Sequence, residues 1–187
     1  MNYEICLWQC EHGYNLRQDA LMVETTGGFT SAQLALEAQT LMLPSLSHAE
    51  AIEIGEIAIG LGRDRALPIA VEVRLGEWTV FHISLPGATD VNDWWIARKA
   101  RVVMAKGTST MFERVTAEEA GVNWYEHNGL SEELHAVHGG GFPLNVTGAG
   151  MVGILLISGL PQVQDHLLGV EVIAEYLARK GEQSAIH

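Results

Sequence analysis

Positive charge is scarce in this sequence: eleven Lys and Arg stand against twenty-three Asp and Glu, for a net charge of −12. A field of that sign repels phosphate backbones and anionic lipid surfaces, so neither nucleic acid nor a membrane is an expected partner. No apolar run approaches the roughly 20 residues that a spanning helix needs; even "GMVGILLISGL" is short and broken by glycine. Cysteine is limited to Cys6 and Cys10. With His12 they fall short of the four ligands of a closed zinc site and read as two reduced thiols. The N-terminal stretch has neither the basic start nor the continuous apolar core of a secretory signal, which favours a cytoplasmic location. G-x-S-x-G, H-E-x-x-H and kinase-type strings are also absent, so no dedicated protein-based catalytic machinery is expected.

What the chain does have is enough apolar material for one core. Its 187 residues are 48% hydrophobic, and a domain of that size buries roughly 70% of the surface its unfolded chain exposes. Neither a repeat nor a linker interrupts it. "VETTGGFTSAQ" after Met22 looks like an ordinary start, so residues 1–29 read as an extension, 30–181 as a single domain and 182–187 as a tail.

Local signals order the domain. "TSAQLALEAQ" predicts a helix from Thr30 or Ser31, and "TLMLPSL" a short strand or extended piece that Pro44 keeps off a central position. Ser47 and Glu50 have capping-box spacing ahead of the stripe Ala51, Ile54, Ile57, Ala58, Leu61. Residues 68–84 alternate around Gly76-Glu77 as a hairpin. Thr89 or Asp90 opens a helix that Lys106 and Gly107 close. Short helical turns are expected near 109–114, 116–120 and 131–136. Pro161 begins a final helix that Gly181 is expected to stop.

Gly148, Gly150 and Gly153 match G-x-G-x-x-G, the spacing of a dinucleotide-binding turn. Such a turn must open a helix, and "ILLISG" is too short and β-branched to be one. The simpler reading is a hairpin, with strands 142–147 and 151–158 around Gly148 to Gly150. The resulting element order indicates an α+β domain, one mainly antiparallel sheet with helices packed on it.

The strings "NDWWIARK", "HGGGFP" and "SGLPQVQDH", together with "LPIAVEV" and "GILLISG", resemble the haem-degrading-domain (HbpS-like) family over about residues 30–180. The likeness is closest to the family's cytosolic branch, which has little assigned chemistry. The resemblance implies a profilin-like fold, homo-oligomers built from dimers and, in some members, haem binding or slow haem breakdown.

Four of the eleven positive charges, Arg98, Lys99, Arg101 and Lys106, lie on the helix that also carries Trp94 and Trp95. Trp95, Lys99, Val102 and Lys106 follow one i, i+4, i+7 row, where indole and ammonium groups could meet a flat anionic ligand such as haem. Lys99 or Arg98 would then pair its propionates. The alternative is that the cations offset the helix dipole and the tryptophans fill core or interface. His138 is the first candidate for iron ligand, beside His135 and ahead of Gly139, Gly140 and Phe142, where the glycines permit close approach. Otherwise it hydrogen-bonds a carbonyl while Gly139 to Gly141 shape the entry to a strand. Gln162, Asp165 and His166 occupy the first turns of the last helix, where an anion would be favoured. Asp165 and His166 diverge by about 100° there, so they form no catalytic pair, and Asp165 is expected to order the preceding loop. His82 is a lone strand histidine, usually a structural residue.

Two functions follow. One is a small-molecule binding domain with haem or a related tetrapyrrole as cofactor, His138, Gly139, Gly140, Phe142, Trp95, Arg98, Lys99 and His166 forming the site. The other is an oligomeric interaction scaffold without catalytic activity, in which Trp94, Trp95 and the "HGGGFP" segment bury subunit contacts.

Overall fold

The computed structural model describes residues 26–185; Cys6, Cys10, His12 and Met22 lie outside them. Helix α1 spans Ser31–Thr40 and α2 spans His48–Asp64. Both open on complete capping boxes: Thr30 and Ser47 accept from the backbone N–H three residues on, while Gln33 and Glu50 reach back to the cap N–H. The hairpin β1 (Ala70–Leu75) and β2 (Trp78–Ser84) turns at Gly76, which adopts φ +57°. Helix α3 (Asp90–Lys106) ends on left-handed Gly107, as the sequence predicts. The second hairpin, β3 (Gly141–Val146) and β4 (Gly150–Ser158), contains the glycine string and shows it to be a turn and a strand.

The strands form one antiparallel sheet in the order β2-β1-β4-β3, the two hairpins meeting through β1 and β4. Alternation divides the sheet's side chains between two cores. Val71, Val73, Phe142, Leu144, Leu155 and Ile157 face a core shared with α2 and with the last helix, α6 (Gln162–Ala185). Ala70, Ile154 and Leu156 face Ile96, Ala100 and Val103 of α3. This is the α+β arrangement expected, with helices on both faces of the sheet. Close packing explains one helical glycine: a Cβ on Gly169 would overlap the Phe142 ring.

Several boundaries differ from the sequence expectation. Residues 109–120 form one helix, α4 (Thr110–Glu119), because Met111 and Val115 pack on Leu34 of α1 and hold both turns in register. The five-residue α5 (Trp124–Asn128) follows, whereas 131–136 is a turn and not a helix. Leu43 makes only a single bridge, to Val146, rather than a strand. Helix α6 runs through Gly181 to Ala185, since an exposed glycine costs a helix only about 1 kcal/mol. Phe29, assigned to the extension, packs edge-on against His166. No helix among the described residues is long and apolar enough to cross a membrane.

Candidate functional site

Helix α3 turns Ile96, Ala100 and Val103 onto the sheet and leaves Trp94 and Trp95 towards its outer side, next to the segment that leads into β3. There the His138 ring lies 4.6 Å from Trp95, centroid to centroid, and Trp94 meets Trp95 edge-on at 5.0 Å. The Arg98 guanidinium stands 4.0 Å from the Trp94 ring centroid and 4.6 Å from that of Trp95. It also donates to the Glu132 carbonyl. Arg101 is exposed and donates to the Leu134 carbonyl at 3.0 Å.

The His138 imidazole receives no hydrogen bond from the described residues, and its Nδ1 is buried without a partner. The carbonyl contact that would mark an ordinary core histidine is therefore missing. Burial, together with the positive charges of Arg114, Lys99 and Arg98, pushes its pKa down from 6.5 to about 4. At neutral pH it is an uncharged imidazole, the protonation state that ligates a metal. His135 differs: its Nδ1 pairs with the Ser131 carbonyl at 2.9 Å.

Lys99 is not part of an open ligand row. It is 2% exposed, and its ammonium donates to the Ile157 carbonyl at 2.7 Å and to Asp165 Oδ2 at 2.8 Å. Two of its three N–H donors are taken and burial keeps the third from an external propionate. The row fails because Lys99 and Val102 are both buried while Lys106, bonded to Asn128, is exposed. Asp165 Oδ1 accepts the Leu160 N–H at 3.0 Å, so this carboxylate does order the preceding loop. The glycines close on the protein's own chain: a Cβ on Gly139 would overlap the Gln162 carbonyl, and one on Gly140 the Ile157 carbonyl. Their missing side chains admit backbone, not ligand.

Phe142 and His166 form a second group, apart from His138. The His166 ring stacks on Phe142 at 4.9 Å, is fully buried, and places Nε2 2.9 Å from Glu37 Oε1. Asp165 and His166 thus point to different partners, Gln162 Oε1 is buried without one among the described residues, and the three build no anion site. His82 is bracketed by Glu72 at 3.0 Å and Asp93 at 3.3 Å and serves to tie β2 to β1 and α3. Glu37 and Phe29 escaped sequence reasoning; the partnership of Glu37 with a histidine 129 positions away leaves no local trace.

No group of three or more His, Cys, Asp and Glu could hold a metal ion among the described residues. A bare ion is thus poorly served. A tetrapyrrole asks less: one neutral imidazole, a flat apolar contact and positive charge at its edge. His138 and the two indoles fit the first two, and exposed Arg101, two helical turns after Trp94, offers a positive charge on that side of α3.

Residues 46–174 match the family model described as haem degrading protein HbpS-like. A UPF0303 protein of Streptomyces avermitilis is 38% identical over 163 residues, covering 87% of this chain and 100% of that one. Among solved structures, the Ybr137w protein superposes with a TM-score of 0.75 at 21% identity, covering 84% of this chain and 95% of that one. The PduOC:heme complex does so at 0.59 and 20% identity, covering 71% and 94%. At such identities the structures speak for the fold alone, the antiparallel sheet between helices seen here. The sequence matches go further, and on them the chain belongs to the HbpS-like haem-degrading protein family.

Proposed function

We propose that this protein binds haem or a related tetrapyrrole, with His138 as the iron ligand. The observation that carries the reading is the His138 imidazole itself, largely removed from water, kept neutral and left without a hydrogen-bond partner beside Trp95. With Nδ1 buried, Nε2 is the ring nitrogen that would meet iron, and the neutral imidazole is the form that coordinates it. Trp95 holds the imidazole plane and, with Trp94, offers apolar surface to a flat macrocycle. Arg101 supplies the positive edge for propionates, while Arg98 orients the indoles from above. Bound haem would supply redox-active iron, and any slow haem loss would be oxidation there rather than at a protein nucleophile. Membership of the family supports the same reading.

Hemin titration followed at the Soret band tests it, wild type beside His138→Ala, with ascorbate or peroxide added afterwards to look for loss of the band. The expected result is saturable, near-stoichiometric binding that the variant lacks. Weak, unsaturable binding equal in both proteins would overturn it.

A second reading, an assembly scaffold without chemistry, draws on Val91 and Trp94, which are 55% and 50% exposed on one side of α3. Apolar groups so placed suit a subunit contact between copies. Under that reading Trp94→Ala lowers the assembly's mass in light scattering and leaves hemin uptake untouched.

A further inference from the structure

A pocket of about 170 Å³ opens between α1, the α3–α4 connection and β3, away from His138. Leu34, Leu41, Phe112 and Phe142 wall it, and its polar lining residues are Glu37, Asn145, Thr108 and Ser109, of which the last two already bond to Glu113 and to the Phe112 N–H. Neither Lys nor Arg lines it, so the one formal charge at its surface is the Glu37 carboxylate. That carboxylate is fixed from behind. His166 is fully buried and its Nδ1 has no partner, which assigns the ring N–H to Nε2, donating to Glu37 Oε1. Phe142 and Phe29 clamp the imidazole by stacking and edge contact. Oε2 of Glu37 is left without a hydrogen bond from the described residues.

We propose that this pocket is a second small-molecule site, independent of His138, that takes a small primary ammonium compound with an apolar body. Size sets the body: ordinary ligand pockets span about 300–1,000 Å³, whereas a cavity of about 150 Å³ takes one benzene-sized molecule. Charge sets the head group: a fixed carboxylate beside apolar and aromatic walls, on a protein of net charge −12, selects a cation and repels carboxylates and phosphates. Buried His166 is the positioning residue that denies Glu37 its rotamer freedom before the ligand arrives.

Benzylamine and its neutral counterpart benzyl alcohol test this by calorimetry and amide chemical shifts on the full chain. Glu37→Gln removes the charge but keeps an oxygen to accept from His166, so the fold is preserved. Ala38→Phe, at an exposed pocket-lining position, blocks the space without touching the charge. Benzylamine is expected to bind saturably and shift amides of α1 and β3. Its affinity should fall about tenfold or more in Glu37→Gln and vanish in Ala38→Phe. Benzyl alcohol should bind about tenfold more weakly and ignore Glu37→Gln. His138→Ala should leave amine binding unchanged even though it abolishes hemin uptake, so the two sites fail separately. The proposal is overturned if benzylamine binds Glu37→Gln as tightly as wild type, if the alcohol matches the amine, or if no saturable shift occurs up to about 10 mM.

Discussion

Replacing Lys99 by Met tests the buried pair that ties α3 to β4 and α6. Its side chain and that of Asp165 are 2% and 3% exposed, with Nζ and Oδ2 at 2.8 Å. The substitution keeps the volume and the aliphatic stem but leaves a carboxylate buried without its cation, which costs about 3–5 kcal/mol. With a urea m-value of about 2 kcal/mol/M, the unfolding midpoint should fall by roughly 1.5–2.5 M. Burial pushes the Asp165 carboxyl up and the Lys99 ammonium pulls it down. Without Lys99 the push of burial is opposed only by the backbone N–H bonds of Leu160 and Gly159, so the folded variant holds the proton more tightly than the unfolded chain. Its stability must then decline as pH rises above 3.8, and the loss relative to wild type must be smaller in acid. The double variant Lys99→Met/Asp165→Leu removes both charges, sacrificing the Leu160 N–H bond at about 1–3 kcal/mol. It should unfold later than the sum of the single variants implies, with a coupling above about 2 kcal/mol. A loss below about 1 kcal/mol in Lys99→Met, or additivity within about 0.5 kcal/mol, would refute the reasoning.

Gly140→Ala meets a left-handed backbone, φ +104°, and sets a Cβ 2.9 Å from Lys99 Nζ and against the Ile157 carbonyl. It should destabilise by at least about 3 kcal/mol in the same urea assay, and a loss under about 1 kcal/mol would show the turn to be pliant. The low pKa of His138 means that the unfolded chain binds its proton first, so wild-type stability should fall as pH drops from 6.5 towards 4. His138→Gln should flatten that stretch of the stability profile, and an unchanged slope would assign it to another group. Arg101→Glu, exposed and outside the core, should leave thermal unfolding within a degree or two while weakening hemin uptake several-fold; equal uptake would remove Arg101 from the site.

The fold was largely legible because its signals are local. Thr30, Ser47 and Thr89 announce helix starts, and Gly76 and Gly148 announce turns, each by chemistry within a few residues. Helix α4 was split because the contacts that unify it, Met111 and Val115 on Leu34, join residues some eighty positions apart. The candidate site was legible as a list of residue types but not as an arrangement. His138 and Trp95 do meet, whereas Phe142 and His166 belong to another group. Lys99 shows the cause most plainly. Helical spacing allowed it to follow Trp95 on an outer row, and the same spacing also sets it three residues from Ile96 on the buried face. Only the buried carboxylate of Asp165 decides between them, and that lies 66 positions further on.

The account rests most directly on His138 as the iron ligand, and chemical rescue isolates that role from folding. His138→Gly should fold but lose the wild-type Soret band on hemin addition, and free imidazole at millimolar concentration should restore it by entering the vacated position beside Trp95. A wild-type Soret band in His138→Gly without imidazole would contradict the account and place the iron, if it binds at all, on another residue.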